Sequence, residues 1–355
     1  MREFVEPCLL SRESYVYSGV DAKTAVQSPV VMNGSLPLPP ESQVPPLPTQ
    51  NRLATLLIGM AVANLVGAAL LFGVTTLVSH YKDQAGAVLI YPSFILLPLI
   101  VGVVAAWFWR RLNRSLALNT LDALWTSLMA LAAAWIFLRE GVVCLVIVFP
   151  MLYALVLTGV IIGRLCFKAN YTKLQLTIVP LLVLLTVTDA FYSADQRAEA
   201  ADEILIQATP DKVWPHVLAF SEIPDQPNYW IFRLGLPYPT QTTNGGSFVG
   251  ADRQCTFSDG IVIKERVAEF VPREKLTFDI VEQPTHPEAY GHITLHRGQF
   301  VLRDNRNGTT MLIGSSWYTL HVHPLWYFDL WTRDMTRAVH LRVMNHIRRL
   351  AEKEQ

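Results

Sequence analysis

Hydrophobic residues are concentrated in five long runs, which are separated by short polar connections. The runs are Leu53–Val78, Ala85–Trp109, Leu116–Leu138, Val142–Gly163 and Leu174–Phe191. About 20 apolar residues in a helix are needed to cross the hydrocarbon core of a bilayer. The pattern therefore predicts an α-helical transmembrane bundle of five spans within residues 51–192, and an integral, multi-pass protein.

The basic residues of the connections predict the orientation of this bundle. Two of the four connections are basic, the second with Arg110, Arg111 and Arg114 and the fourth with Arg164, Lys168 and Lys173. Cationic short loops remain on the cytoplasmic side. We therefore expect a cytoplasmic N-terminus and, after five spans, an extracytoplasmic C-terminal domain at a bacterial-type plasma membrane. If the fifth run does not cross, the domain moves to the cytoplasmic side.

The region before the first run is proline-rich between residues 36 and 48 and has few aromatic residues. Such composition favours an extended, unpacked chain, so residues 1–50 are predicted to be a disordered tail, with an SH3-type ligand as the alternative. Met1–Pro7 lacks a positive region followed by an apolar core, so no cleavable signal peptide is expected.

Charge and cysteine content exclude several classes of function. The chain has 29 basic and 29 acidic residues, which gives no electrostatic footprint for nucleic acid. Its four cysteines include one, Cys255, after residue 201, so that part holds no internal disulfide, and no CxxC pair indicates zinc. Within the spans, Asp122 is a candidate functional acid, although Arg114 is close enough in sequence to pair with it structurally.

After Ala201 the hydrophobic period changes to that of strands, followed by one amphipathic helix. Asp202–Ala208 is predicted to be a strand, and a helix begins after Thr209 with Pro210 at its first position. Further strands are predicted at Ser247–Phe257, Ile261–Phe270, Lys275–Glu282, His292–Arg303 and Thr309–Thr319. From Pro324 onward, apolar residues recur every three or four positions, which is typical of a long helix.

Three segments carry a resemblance to a known superfamily. They are ATPDKVW (Ala208–Trp214), CTFSDGIVIKERV (Cys255–Val267) and GSSWY (Gly314–Tyr318). With the order of elements, they make residues 202–355 similar to the START-like superfamily called SRPBCC, which includes polyketide cyclases and lipid-transfer domains. The resemblance implies an α+β helix-grip domain, in which a curved antiparallel sheet surrounds the long C-terminal helix and an apolar cavity. It implies no particular reaction.

The alternation of residues predicts the register of one hairpin. Matching the apolar faces on both sides of residues 258–260 requires a three-residue loop that ends at Gly260. This register places Arg253 opposite Glu265 on the apolar face. Because a buried charge needs a partner, we expect an ion pair there, which either faces a ligand or ties the two strands together.

A second hairpin is predicted from Asn307-Gly308, which is typical of a two-residue turn. This turn aligns Leu302 with Ile313, Phe300 with Ser315, and Gly298 with Trp317. The small residues of that face leave gaps, in which either a ligand or Trp331 of the last helix fits.

The candidate ligand-binding residues are the large apolar and charged side chains predicted to face this cavity. They are Trp230, Phe232, Arg253, Phe257, Ile263, Glu265, Phe278, Phe300, Trp317, Trp331 and Met335. His321/His323 and His292/His296 are conceivable metal ligands, but they lack a recognised spacing, so neither a metal nor a cofactor is expected.

Three functions remain open from the sequence. The first is a membrane-anchored module that binds an apolar or amphipathic small molecule, such as a lipid or isoprenoid, near the bilayer surface, with membrane lipids as its partners. The second is an enzyme of the cyclase or hydratase kind, with Glu265 as base and Arg253 holding an oxyanion. The third is a structural or sensory protein whose cavity is filled by its own side chains. No particular protein partner is indicated.

Overall fold

The computed structural model describes residues 49–81, 91–112, 114–167, 196–284, 286, 288, 292–322 and 324–353. Residues 1–48 of the predicted tail and the fifth predicted span, Leu174–Phe191, lie outside the described residues. The first described part is helical: α1 (Thr49–Tyr81), α2 (Tyr91–Trp109), α3 (Leu116–Ala133), which continues in a π-helical turn (Ala134–Leu138), and α4 (Val142–Cys166).

Three of the described helical segments are long and apolar enough to cross a membrane. They are Asn51–Gly73, Leu116–Leu138 and Val142–Cys166, which match the first, third and fourth predicted spans. The apolar part of α2, Ile95–Trp109, is shorter. Residues 85–90, with which the second predicted run begins, are not among those described. Within the described residues there are therefore three candidate spans, where the sequence predicted five in the whole chain.

The four helices alternate in direction and make close backbone contacts. Trp109 Nε1, at the end of α2, donates a hydrogen bond of 3.3 Å to the Leu56 carbonyl near the start of α1. Between α2 and α4, a Cβ added at Gly102 would overlap the Val156 carbonyl oxygen, and one added at Gly159 would overlap that of Leu99. Small residues at such contacts are how apolar helices approach each other without a hydrophobic driving force.

Asp122 is held by Arg114, as the sequence suggested. The Arg114 guanidinium donates to both carboxylate oxygens, from Nε at 3.0 Å and from Nη2 at 2.9 Å. Asp122 is buried, and this bidentate pair joins the start of α3 to the segment before it. The pair accounts for the buried acid in structural terms.

The second described part is a seven-stranded antiparallel sheet in the order β1-β7-β6-β5-β4-β3-β2, with three helices. Its elements are β1 (Gln196–Ile206), α5 (Pro210–Leu218), α6 (Trp230–Arg233), β2 (Pro239–Asn244), β3 (Asp252–Phe257), β4 (Val262–Val271), β5 (Lys275–Glu282), β6 (Ile293–Asp304), β7 (Thr310–Leu320) and α7 (Leu325–Lys353). β1 begins earlier than predicted, and β2 was not among the predicted strands.

The sheet curves around α7, and this arrangement fits a helix-grip domain. Register shifts interrupt the pairing of β4 with β5 at Lys264/Glu265 and at Val267/Glu269, and such bulges bend a sheet. The concave side and α7 share a core in which Leu312, Met344 and Ile347 are fully buried.

The two hairpin predictions had opposite outcomes. Around Gly260, which has a φ of +84°, the three-residue loop is confirmed, and Arg253 pairs with Glu265. The register predicted for β6 and β7 is wrong, because Leu302 pairs with Leu312 and Phe300 with Gly314. The loop there has one more residue than predicted, since the Asn305 N–H bonds to the Thr309 carbonyl at 3.1 Å.

Candidate functional site

A cavity of about 720 Å³ extends between the helical bundle and the concave side of the sheet. On the bundle side its walls come from all four helices, including Gly67, Leu97, Leu131, Val143 and Ile147. Sequence reasoning missed this half of the site, because the spans were interpreted only as an anchor. Spans that line a cavity and spans that only anchor a protein in a membrane have the same apolar composition, so the sequence does not distinguish them.

On the domain side, the cavity wall is formed by one face of α7 and by the β3–β4 hairpin. Trp331, Met335 and Val339 follow each other at intervals of four residues and all line the cavity, as expected for one side of a helix. The hairpin contributes Phe257 and Ile263. Four predicted ligand-binding residues, Phe257, Ile263, Trp331 and Met335, are therefore brought together at one cavity.

Polar groups line the cavity where the domain meets the bundle. The Glu288 carboxylate accepts hydrogen bonds from the N–H groups of Val143 at 2.9 Å and Cys144 at 3.2 Å. These N–H groups lie in the first turn of α4 and so have no carbonyl partner within the helix, and a negative charge is favourable at this end of a helix. Glu140 Oε2 lies 3.3 Å from His292 Nε2. The cavity thus has apolar walls and a polar zone at the junction.

Three of the side chains in this polar zone could hold a metal ion. The ligand atoms of Glu140, Cys144 and His292 lie within 4.8 Å of one another, and imidazole, thiolate and carboxylate are the groups that bind zinc. His292 was one of the histidines considered from the sequence. The others that are described have different neighbours: His296 lies 2.7 Å from the Thr319 hydroxyl, and His321 lies 2.9 Å from that of Thr294. His323 is outside the described residues.

The predicted ion pair exists, and it lies in the domain core. Arg253 is 2% exposed and Glu265 is 6% exposed, with Nε and Oε2 3.1 Å apart. Arg253 also donates to the Val217 carbonyl of α5 at 3.3 Å and lies 4.8 Å from the centre of the Phe278 ring. Burial raises the pKa of Glu265, and the charge of Arg253 opposes that change. Neither side chain is among those that line the cavity.

The remaining candidates lie around the cavity rather than in its wall. Phe278 and Phe300 are core residues, 8% exposed each. The gap at Gly298 is occupied by its cross-strand neighbour, because a Cβ there would lie 2.5 Å from the Phe278 ring. The predicted gap therefore holds neither a ligand nor Trp331.

The aromatic residues outside this core have different surroundings. Trp317 pairs with Arg297 and Glu199 and so lies on the convex face, since neighbouring Tyr318 bonds to Asp329 of α7. Its predicted place opposite Gly298 depended on the wrong hairpin register. Trp230 of α6 is 45% exposed, and its ring centre is 6.5 Å from that of Trp331. Phe232 is buried beneath Tyr238, with ring centres 5.4 Å apart.

A chain of hydrogen bonds that the sequence did not reveal begins at the cavity wall. Ser316 of β7 lines the cavity, and its Oγ lies 2.8 Å from His340 Nε2 on α7. His340 Nδ1 lies 2.9 Å from the Asp202 carboxylate on β1. Ser316 stands in the GSSWY segment, but no spacing in the sequence relates it to residues 202 and 340.

Among known proteins, only solved structures with a similar fold match this chain. No family model matches the chain, and no curated protein matches it. Solved structures that are similar include an uncharacterized protein of Bacillus thuringiensis, at 18% identity, covering 43% of this chain and 97% of that chain with a TM-score of 0.31. Another is norcoclaurine synthase of Thalictrum flavum, in complex with dopamine and hydroxybenzaldehyde, at 13% identity, 45% and 90% coverage and a TM-score of 0.32. These similarities assign no function to this chain.

Proposed function

We propose that this chain is an integral membrane protein in which the helix-grip domain and the helical bundle together bind an apolar or amphipathic small molecule of the lipid or isoprenoid class. The observation that carries the proposal is the cavity of about 720 Å³. Ligand pockets in proteins have volumes of about 300–1,000 Å³ and are mainly apolar with a few placed polar groups.

The distribution of polar groups supports an amphipathic ligand. Gly67, Leu131 and Ile147 provide an apolar wall on the bundle side, while Glu140 and His292 lie at the junction with the domain. A molecule with an apolar tail and a small polar head matches both regions, because burying its head away from these groups would cost hydrogen bonds. Such molecules are concentrated at the surface of a bilayer.

The arrangement of charges supports the expected orientation. The domain contacts α4 at its first turn through Glu288, whereas Arg164 lies in the last turn of that helix. A helix of this length measures about 37 Å, so the two ends are well separated. Arg114 precedes α3, which is antiparallel to α4, and so also lies at the end away from the domain. Basic residues are typical of the cytoplasmic end, and the domain would then be extracytoplasmic.

The two alternative functions receive less support from the geometry. A cyclase-type reaction would need Glu265 and Arg253 to face the ligand, but both lie behind the cavity wall. A self-filled domain would leave no space of ligand size, whereas the cavity exceeds the lower limit for ligand pockets, about 300 Å³. We therefore propose neither alternative.

Ligand uptake tests the binding proposal. The delipidated full-length protein in mild detergent is titrated with a fluorescent fatty acid and with fluorescent phospholipid, and we expect saturable uptake of at least one. Val339→Trp should reduce it by filling the cavity, whereas Leu330→Trp, at a position of α7 that is 66% exposed, should not. No saturable uptake, or equal loss in both variants, would contradict the proposal.

Thiol labelling tests the orientation. A variant without native cysteines and with Arg303→Cys at an exposed position of β6 is treated in intact cells with a membrane-impermeant maleimide. We expect labelling before lysis. Labelling that requires lysis would place the domain in the cytoplasm and contradict the proposed orientation. It would not affect the ligand-binding proposal, which the uptake experiment tests.

A further inference from the structure

Three side chains that are far apart in sequence form one hydrogen-bonded chain that ends at the cavity. The Ser316 hydroxyl, the His340 imidazole and the Asp202 carboxylate are linked by distances of 2.8 Å and 2.9 Å. They come from β7, α7 and β1, which the fold holds together through strand pairing and through the packing of α7 on the sheet. Both distances lie within the range for a nucleophile and its base, and for a base and the group that orients it.

The partners of His340 determine where its proton is. An ionised carboxylate only accepts hydrogen bonds, so Nδ1 of His340 carries the proton that faces Asp202. Nε2 is then free to accept the proton of the Ser316 hydroxyl. Arg337 Nε lies 3.7 Å from the other carboxylate oxygen of Asp202.

The burial of His340 suits a base. The residue is 7% exposed, and burial lowers its pKa below the ordinary imidazole range, against the opposing effect of Asp202. A neutral imidazole at neutral pH can accept a proton. The exclusion of water at this site also strengthens the electrostatic interaction of Asp202 with an imidazolium formed during reaction.

We propose that Ser316, His340 and Asp202 act as nucleophile, general base and orienting acid in the hydrolysis of carboxylic esters with an apolar chain. This inference rests on the proposed function, because the ester reaches Ser316 through the same cavity. The apolar walls would hold the chain of the ester, and Ser316 is the member of the triad that lines the cavity.

The reaction balances with water as the second reactant. Ser316 Oγ forms a bond to the ester carbonyl carbon while its proton passes to His340 Nε2. The bond from that carbon to the alcohol oxygen breaks, and the alcohol leaves with the proton, so that Ser316 carries the acyl group. Water then attacks the acyl carbon and gives a proton to His340, the bond to Oγ breaks, and Ser316 regains the proton as the carboxylic acid leaves. Thr336, one turn before His340 on α7, also lines the cavity and offers it a hydroxyl group.

Covalent labelling distinguishes this role from a structural link. Full-length protein in mild detergent is treated with an alkyl fluorophosphonate, and we expect one adduct, mapped to Ser316. Ser316→Ala should lose the adduct, whereas Ser315→Ala, the adjacent serine that pairs with Gln299 on the other face, should keep it. His340→Gln should slow labelling and the hydrolysis of a long-chain p-nitrophenyl ester by about 10²-fold or more.

The outcomes separate this inference from the binding proposal. An unfolding temperature of Ser316→Ala equal to that of the wild type shows that the variant is folded, so that loss of its adduct is due to the missing hydroxyl. Uptake by the wild type with no adduct at Ser316, or hydrolysis by Ser316→Ala at the wild-type rate, would overturn the esterase role and leave binding intact. An adduct at Ser316 without lipid uptake would support the triad and reject the proposed ligand class.

Discussion

The buried pair Arg253–Glu265 permits a quantitative test of how the domain core is built. In the variant Glu265→Leu, the guanidinium of Arg253 would remain 2% exposed with the Val217 carbonyl and the Phe278 ring as its neighbours. Removing one partner of a buried pair costs about 3–5 kcal/mol, while replacing both with apolar residues of similar volume is often neutral. We therefore expect Glu265→Leu and Arg253→Met each to destabilise the domain strongly, and the double variant to recover most of the loss.

The size of the effect can be converted into temperature. Each kcal/mol corresponds to about 2–4 °C in a domain of 150–250 residues, so each single variant should lower the unfolding temperature by roughly 6–20 °C. Cys255 provides the assay, because it lies on the same face and is 8% exposed. With the other cysteines replaced, the rate at which Cys255 reacts with a thiol reagent during heating reports the opening of the domain itself.

A surface pair next to the buried one serves as the control. Lys264 and Glu282 are 2.7 Å apart on β4 and β5, and their side chains are 54% and 58% exposed. An exposed pair of this kind contributes about 0–1 kcal/mol, so Glu282→Ala should shift the temperature little. A loss in Glu265→Leu no larger than in Glu282→Ala, or a double variant as unstable as either single one, would refute the reasoning.

Three further predictions follow from other contacts. Gly298→Ala should destabilise the domain by about 1–3 kcal/mol, because the added Cβ would lie 2.5 Å from the Phe278 ring. Thermal unfolding measures this loss, and the second substitution Phe278→Leu should recover part of it. Glu288→Ala should speed hydrogen exchange of the Val143 amide, which loses its acceptor; an unchanged rate would mean that the contact does not form. Burial lowers the pKa of His346, so this group takes up a proton at a higher pH in the unfolded chain than in the folded one. The stability due to this group is therefore present above about pH 6.5 and is lost as the pH falls below it. His346→Gln should make the free energy of unfolding less sensitive to pH between 7 and 5, and an unchanged pH profile would contradict this.

The β3–β4 hairpin shows how much local sequence can predict. Apolar residues alternate on both sides of residues 258–260, and only a loop with an odd number of residues brings the two apolar faces to the same side. Gly260 supplies the positive φ that such a loop needs. Loop length and alternation together predict the pairing of Arg253 with Glu265, and this pairing is confirmed.

The β6–β7 hairpin shows where the same reasoning fails. Asn307-Gly308 is typical of a two-residue turn, but the loop runs from Arg306 to Gly308, and both of these residues have positive φ, 58° and 83°. The Asp304 carboxylate accepts the Arg306 N–H at 2.8 Å and so stabilises the longer loop. Because side chains alternate along a strand, one extra residue moved Trp317 to the convex face and Ser316 to the cavity.

The sequence by itself determined four apolar helices, six of the seven strands, the amphipathic last helix and one buried ion pair, since each depends on periods or loop lengths within a short segment. Only the tertiary structure decided that the four helices of the bundle share a cavity with the domain, and that Ser316, His340 and Asp202 meet at its wall. The physical reason is that these contacts join elements separated by long stretches of chain. Their distances depend on sheet curvature and helix packing, for which no local pattern of residues provides a measure.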